Sequence, residues 1–120
     1  MAWEVEYTDE FEDWWNTLSE AEHESIFASE RLLEDYGPAL GYPHTSGIND
    51  ARTGHLRELR VQHEGRPYRL FYAFNPLRTA LMLIGGDKTG DDRFYERMVP
   101  IADALYATHL LELRKEGKIQ

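Results

Sequence analysis

HLRELRVQHEGRPYRLFYAFNPLRTALMLIGGDK, residues His55 to Lys88, decides the fold of this chain. It reads as three strands joined by two tight turns. Leu56 to His63 is the first, and Glu64-Gly65 fits a hairpin turn, because glycine accepts the positive φ such turns require. Tyr68 to Phe74 is the second, with Asn75-Pro76 turning the chain again. Thr79 to Gly85 is the third. It is apolar on both faces, as expected of a central strand or one covered on both sides. Links this short make the three neighbours antiparallel.

On the N-terminal side, Trp3, Val5 and Tyr7 alternate with Glu4 and Glu6, a period of two that predicts a short strand. Thr8 or Asp9 can cap a helix carrying Phe11, Trp14, Trp15 and Leu18 at helical spacing. Ser19 and Glu22 form a capping box that starts a second helix at once. That helix is expected to turn Ile26, Phe27, Leu32, Leu33 and Tyr36 inward and to stop at Gly37-Pro38. Two helices linked so closely form an antiparallel hairpin, whose apolar stripe must pack on the sheet. Ala39 to Gly54 reads as a loop of glycine, proline and small polar residues. Beyond Gly85-Gly86 the chain becomes helical from about Asp91, with Asp91 or Asp92 as the N-cap. Pro100 then imposes either a kink or a new helix running to about Gly117. The expected order is β-α-α-β-β-β-α. It describes an α+β domain, residues 1–120, whose antiparallel sheet packs against an N-terminal helical hairpin and a C-terminal helix.

Composition narrows the classes. A chain of 120 residues with 42% hydrophobic and 12% aromatic content can bury a core without staples. The absence of cysteine excludes disulfides and thiolate chemistry. The N-terminus lacks the basic and apolar regions of a signal peptide, and Ala80 to Ile84 is too short to span a bilayer. The expectation is a cytoplasmic protein with no membrane partner. The net charge of −9 is unevenly spread. Residues 1–50 hold 13 acidic side chains against the single Arg31, whereas residues 51–97 hold 9 basic against 6 acidic. Acid therefore sits in the helical half and arginine in the strands, a polarity able to orient the protein over a charged partner.

Arg57, Arg60, Arg66, Arg69 and Arg78 lie in or beside the hairpins, and the guanidinium fork suits bidentate phosphate contact. Strict alternation puts Arg57 on the apolar side with Leu59 and Val61, so a local bulge or a pairing with a glutamate is expected. Exposed strands also carry arginine for no purpose beyond solubility, and Glu58–Arg60 can be an ordinary surface pair. The segment Gly85-Gly86-Asp87-Lys88-Thr89-Gly90-Asp91-Asp92-Arg93 has glycines that let backbone amides approach a phosphate. Its spacing is neither that of a Walker loop nor that of an EF-hand, and it also serves as a plain strand-to-helix turn. His23, His44, His55, His63 and His109 show no metal-ligand spacing. His44 and His55 lie near the arginines, where a histidine can act as a general base.

The run from Leu56 to Arg60, then Gly65, Tyr68-Arg69, Tyr72 and the apolar strand Leu81 to Lys88, resembles the HigB-like, phage-derived branch of the RelE/ParE toxin superfamily. The likeness extends from Trp3 to about Leu113, and GGDKTGDDRFYE is its most specific part. It implies a RelE-like fold and a toxin of a type II toxin–antitoxin system. The implied activity is that of an endoribonuclease cutting mRNA on the ribosome by 2′-hydroxyl attack on the adjacent phosphate, without cofactors. The implied partner is a cognate antitoxin, a helix-turn-helix DNA-binding protein. Carried over by position, Arg57, Arg60 and Arg69 hold the scissile phosphate. Lys88 is charge stabiliser or general acid, and Tyr95 orients or stacks. Glu58 is the candidate base with His55 behind it, and Arg66, Arg78 and Arg93 extend the substrate surface. The resemblance leaves two alternatives open: an inactive RelE-fold binding module, or a ParE-like toxin directed at gyrase.

Overall fold

The computed structural model describes residues 2–49, 51–52 and 55–120. The elements are β1 (Glu4–Tyr7), α1 (Asp9–Trp15), α2 (Glu20–Tyr36), a 3-10 turn (Gly37–Ala39), β2 (Thr45–Gly47), β3 (Arg57–His63), β4 (Arg66–Phe74), β5 (Thr79–Asp87) and α3 (Phe94–Lys115). The five strands form one sheet in the order β1-β5-β4-β3-β2. The three central strands and their antiparallel pairing follow the sequence reading. Both Glu64 and Gly65 take positive φ, the backbone a tight hairpin needs. At the next turn Asn75 Oδ1 accepts from the amides of Leu77 and Thr79.

Two strand features depart from expectation. β1 runs parallel to β5, so the sheet is mixed rather than antiparallel. The α1–α2 hairpin carries the chain across the sheet before β3 begins, which leaves the flank of β5 for β1. The expected loop also contains β2, antiparallel to β3. Thr45 is buried there, its hydroxyl donating to the Glu58 carbonyl over 2.8 Å and meeting the Tyr72 hydroxyl at 2.6 Å. The strand supplies the partners that β3's outer edge would otherwise lack. Positions 50, 53 and 54 of that loop lie outside the described residues.

The sheet is covered on both faces. Leu59, Val61, Tyr68, Leu70, Tyr72, Ala80 and Met82 pack with Phe11, Ile26 and Leu33 of the helical hairpin. Phe71, Ala73, Leu81 and Leu83 pack with Phe94, Met98, Val99, Ala102 and Tyr106 of α3. Thr8 caps α1, and the Ser19–Glu22 box is fully formed. Within α2 the buried positions are Ile26, Glu30 and Leu33, spaced i, i+4, i+7. Phe27 and Tyr36 fall off that stripe and are 52% and 58% exposed, so neither turns inward.

α3 is a single helix running through Pro100. A proline in a helix interior costs about 3 kcal/mol by removing a hydrogen bond and crowding the preceding turn. Met98, Val99 and Ala102 are buried around it, and packing of about 1.5–3 kcal/mol per large side chain outweighs that loss. The cap is Arg93, without a side-chain hydrogen bond, and not Asp91 or Asp92. Asp91 instead accepts from the Arg93 amide and from the Arg97 guanidinium.

Candidate nucleic-acid site

Gly85 and Gly86, read as a phosphate loop, lie inside β5 and serve packing. A Cβ on Gly85 would stand 2.3 Å from the Trp14 ring, and one on Gly86 would stand 2.9 Å from Phe94. The two glycines let α1 and α3 press their aromatic rings onto opposite faces of one strand.

Side-chain alternation on β3 and β4 then sorts the arginines. Leu59 and Val61 face the helical hairpin, so Glu58 and Arg60 face α3. Phe71 faces α3, and Arg69 with it. In the sheet register Arg60 stands opposite Arg69, and Arg69 opposite Gly86, two residues before Lys88. Directly opposed like charges repel. Glu58 relieves them from the same face: its Oε1 is 3.3 Å from Arg69 Nε and its Oε2 is 4.0 Å from Arg60 Nη1.

Glu58 is 5% exposed and is the hub of this cluster. The Tyr95 hydroxyl of α3 donates to Oε1 over 2.6 Å, and the Ser46 hydroxyl of β2 donates to Oε2 over 2.7 Å. Lys88 Nζ lies 5.4 Å over the Tyr95 ring, and the Arg60 guanidinium 5.3 Å over the Tyr42 ring. Burial, then the bond to Glu58, pushes the Tyr95 phenol upward despite Arg69, so it stays a proton donor. Arg69 is 5% exposed and donates through Nη1 to the Tyr68 carbonyl. The outward cations are thus Arg60 and Lys88, with Arg69 behind them. Alongside lies a cleft of about 460 Å³ lined by Gly47, Glu58, Tyr95, Glu96 and Val99.

Other expected residues lie elsewhere. Arg57 stays on the hairpin side of β3, in register with Tyr72 and without a bulge in its own strand. The register shift falls between β4 and β5. Arg57 borders a separate cleft with the exposed His55. Arg66 pairs with Asp87 at 3.6 Å and Glu22 at 3.9 Å. Arg78 sits at the far turn, 4.9 Å over the Trp3 ring, and Arg93 is exposed at the start of α3. His23 stacks on Trp15, His63 bonds Ser25 and His109 bonds Asn75. Among the described residues no cluster of His, Asp or Glu is placed to hold a metal ion. Ser46 and Tyr42 escaped the sequence reading, because a three-residue strand leaves no periodic signal and Tyr42 lies in the turn before it.

Residues 13–107 match the family described as Phage derived protein Gp49-like (DUF891). The chain is similar to two Mycobacterium tuberculosis proteins named "Putative toxin HigB2" and "Putative toxin HigB3". It is 37% identical to the first over 101 residues, covering 82% of this chain and 50% of that protein. It is 39% identical to the second over 93 residues, covering 77% and 80%. The chain therefore spans half the length of one relative and four fifths of the other. Among solved structures, a doubly substituted mutant of the E. coli toxin RelE in the free state superposes with a TM-score of 0.59. The match has 12% identity and covers 82% of this chain and 96% of that one, a likeness of fold.

Proposed function

The chain belongs to the phage-derived Gp49-like family, within the HigB-like branch of the RelE-like toxins, and on that premise we propose that it is the toxin of a type II toxin–antitoxin system and cuts mRNA. The observation that carries the reading is the row of Arg60, Arg69 and Lys88 around Glu58 and Tyr95 beside an open cleft. Three cations against Glu58 and the cleft's Glu96 leave one net positive charge, on the side of the cluster suited to a phosphodiester.

Arg60 and Lys88 take the non-bridging phosphate oxygens and stabilise the charge that develops as the 2′-hydroxyl attacks. Arg69 sets the potential from behind. At 4.0 Å, Arg60 is only loosely held by Glu58. When it turns to the phosphate, Glu58 Oε2 becomes the acceptor for the 2′ proton, and Lys88 or Tyr95 protects and protonates the departing 5′-oxygen. The products are a 2′,3′-cyclic phosphate and a 5′-hydroxyl. The antitoxin partner covers the same arginine face, and a helix-turn-helix protein encoded alongside is its expected form. Among the described residues no helix is long and apolar enough to cross a membrane; the proposed action on mRNA belongs in the cytoplasm.

A second reading rests on one observation: Arg69 is buried and both oxygens of Glu58 already hold partners. In it the chain grips its partner without cutting RNA. Primer extension on a reporter message after induction decides. New 5′ ends in arrested cells establish the nuclease, harmless expression without them favours the binding module, and arrest with intact message points to a gyrase-type target.

A further inference from the structure

On the opposite face of the sheet, α2 buries a carboxylate that the nuclease reading does not use. Glu30 is 2% exposed, and its Oε2 accepts from the Tyr7 hydroxyl over 2.9 Å. Its Oε1 has no hydrogen-bond partner; among the described residues the one other such buried side-chain atom is Arg69 Nε. Glu30 lies on the wall of a cavity of about 340 Å³ whose other walls include Tyr7, Phe11, Trp15, Phe27 and Glu12. That volume is within the range of small-ligand sites.

The chemistry of this cavity is specific. Phe11 and Trp15 stack at 6.4 Å, Trp15 and Phe27 meet edge to face at 4.9 Å, and Tyr7 lies 5.3 Å from Phe11. Aromatic faces attract cations, most strongly where water is excluded. An ionised carboxylate buried without a counter-charge is costly, and a neutral one still leaves a polar oxygen unsatisfied. The groups that face Glu30 from its own helix and from its neighbours are Glu34, Glu12 and Tyr7, none of them a cation. The surrounding sequence supplies little more: Arg31 is the sole lysine or arginine in the first fifty residues, and His23 stacks on Trp15 rather than meeting Glu30. We propose that this aromatic-walled cavity is a binding site for an organic cation, an alkylguanidinium or alkylammonium group, whose positive end pairs with Glu30 Oε1 while its stem lies against Trp15 and Phe27. The site is independent of the arginine cluster, since it lies under the hairpin helices and the cluster lies under α3.

The probe is N-acetylarginine amide, with the neutral isostere N-acetylcitrulline amide as control, titrated into the full chain and followed by the NMR signals of the Trp15 indole and the Phe27 ring. The expected result is saturable movement of both signals with the arginine compound and none with citrulline. Affinity should fall at least tenfold in Glu30→Gln and in Phe27→Ala; the second variant alters an exposed side chain and keeps the fold. Because Glu30 titrates near 7 and the guanidinium does not, affinity should rise about tenfold between roughly pH 6 and pH 8. A blocked arginine tripeptide that binds more tightly than the amide identifies the source as a protein side chain. Equal binding identifies a free metabolite, and either outcome supports the site. Equal movement with citrulline, or affinity unchanged in Glu30→Gln, overturns it. RNA cleavage should persist in Glu30→Gln, so a failure here leaves the nuclease reading separately testable.

Discussion

The Tyr95 hydroxyl donates to Glu58 Oε1 over 2.6 Å, joining the closing helix α3 to the arginine-bearing strand β3. The bond reaches a carboxylate that also neutralises Arg69, so one hydroxyl braces both the helix and the charge cluster. Tyr95→Phe should therefore lower stability by about 1.5–3 kcal/mol, the range for a hydrogen bond to a charged group. Urea unfolding would show a lower midpoint at unchanged slope. An unchanged midpoint would mean that the bond is not made in solution.

Arg60 and Arg69 stand opposite each other but should fail differently. The Arg60 side chain is 30% exposed, so Arg60→Ala should leave the melting temperature near that of the parent while relieving growth arrest. Lys88→Ala should behave alike. Arg69→Ala removes the nearer counter-charge of the buried Glu58, leaving it the Tyr95 and Ser46 hydroxyls and Arg60 at 4.0 Å, and should cost about 3–5 kcal/mol, so its loss of toxicity comes with loss of fold. Growth arrest that persists in a stably folded Arg60→Ala, Lys88→Ala double variant would refute the phosphate grip.

Glu30 and Glu22 shift in opposite directions. Burial raises Glu30 from 4.5 to about 7, overriding the Tyr7 bond. The bond from Tyr68, then the Ser19 backbone, lowers Glu22 from 4.5 to about 2. For Glu30 the folded state holds its proton more tightly than the unfolded chain. Its contribution is complete below pH 4.5 and is lost as pH rises through about 7, a loss on the order of 3 kcal/mol. For Glu22 the contribution is present above 4.5 and is lost as pH falls through about 2. Denaturant midpoints measured across this range should show Glu30→Gln flattening the neutral limb and Glu22→Gln flattening the acid limb. A neutral limb unaltered by Glu30→Gln would contradict the burial seen for that carboxylate.

Gly85→Ala tests the packing role of the glycine pair. The new methyl meets the Trp14 ring at a distance no real side chain tolerates. The variant should lose about 1–3 kcal/mol by overpacking. Calorimetry should show this as a lower melting temperature. Combining Gly85→Ala with Trp14→Leu should restore part of the loss, and no restoration would place the strain elsewhere.

Alternating and helical periods, capping residues and turn pairs are local signals, and they carried the three central strands, the hairpin helices and the Ser19–Glu22 box. Those features follow from contacts a few residues apart, where the backbone's few allowed conformations leave little choice. The parallel seat of β1, the short β2 and the continuity of α3 through Pro100 depend on partners far along the chain, and burial there overrides local preference. The same divide separates the candidate sites. Arginine spacing pointed to a cationic sheet and alternation already separated Arg57 from Arg60, but only the pairing register could set Arg60 and Arg69 face to face and bring Glu58, Ser46 and Tyr95 between them. Glu30 sits in line with Ile26 and Leu33 on its helix. Its charge alone argues for water, and only the aromatic walls closing over it make it an interior group.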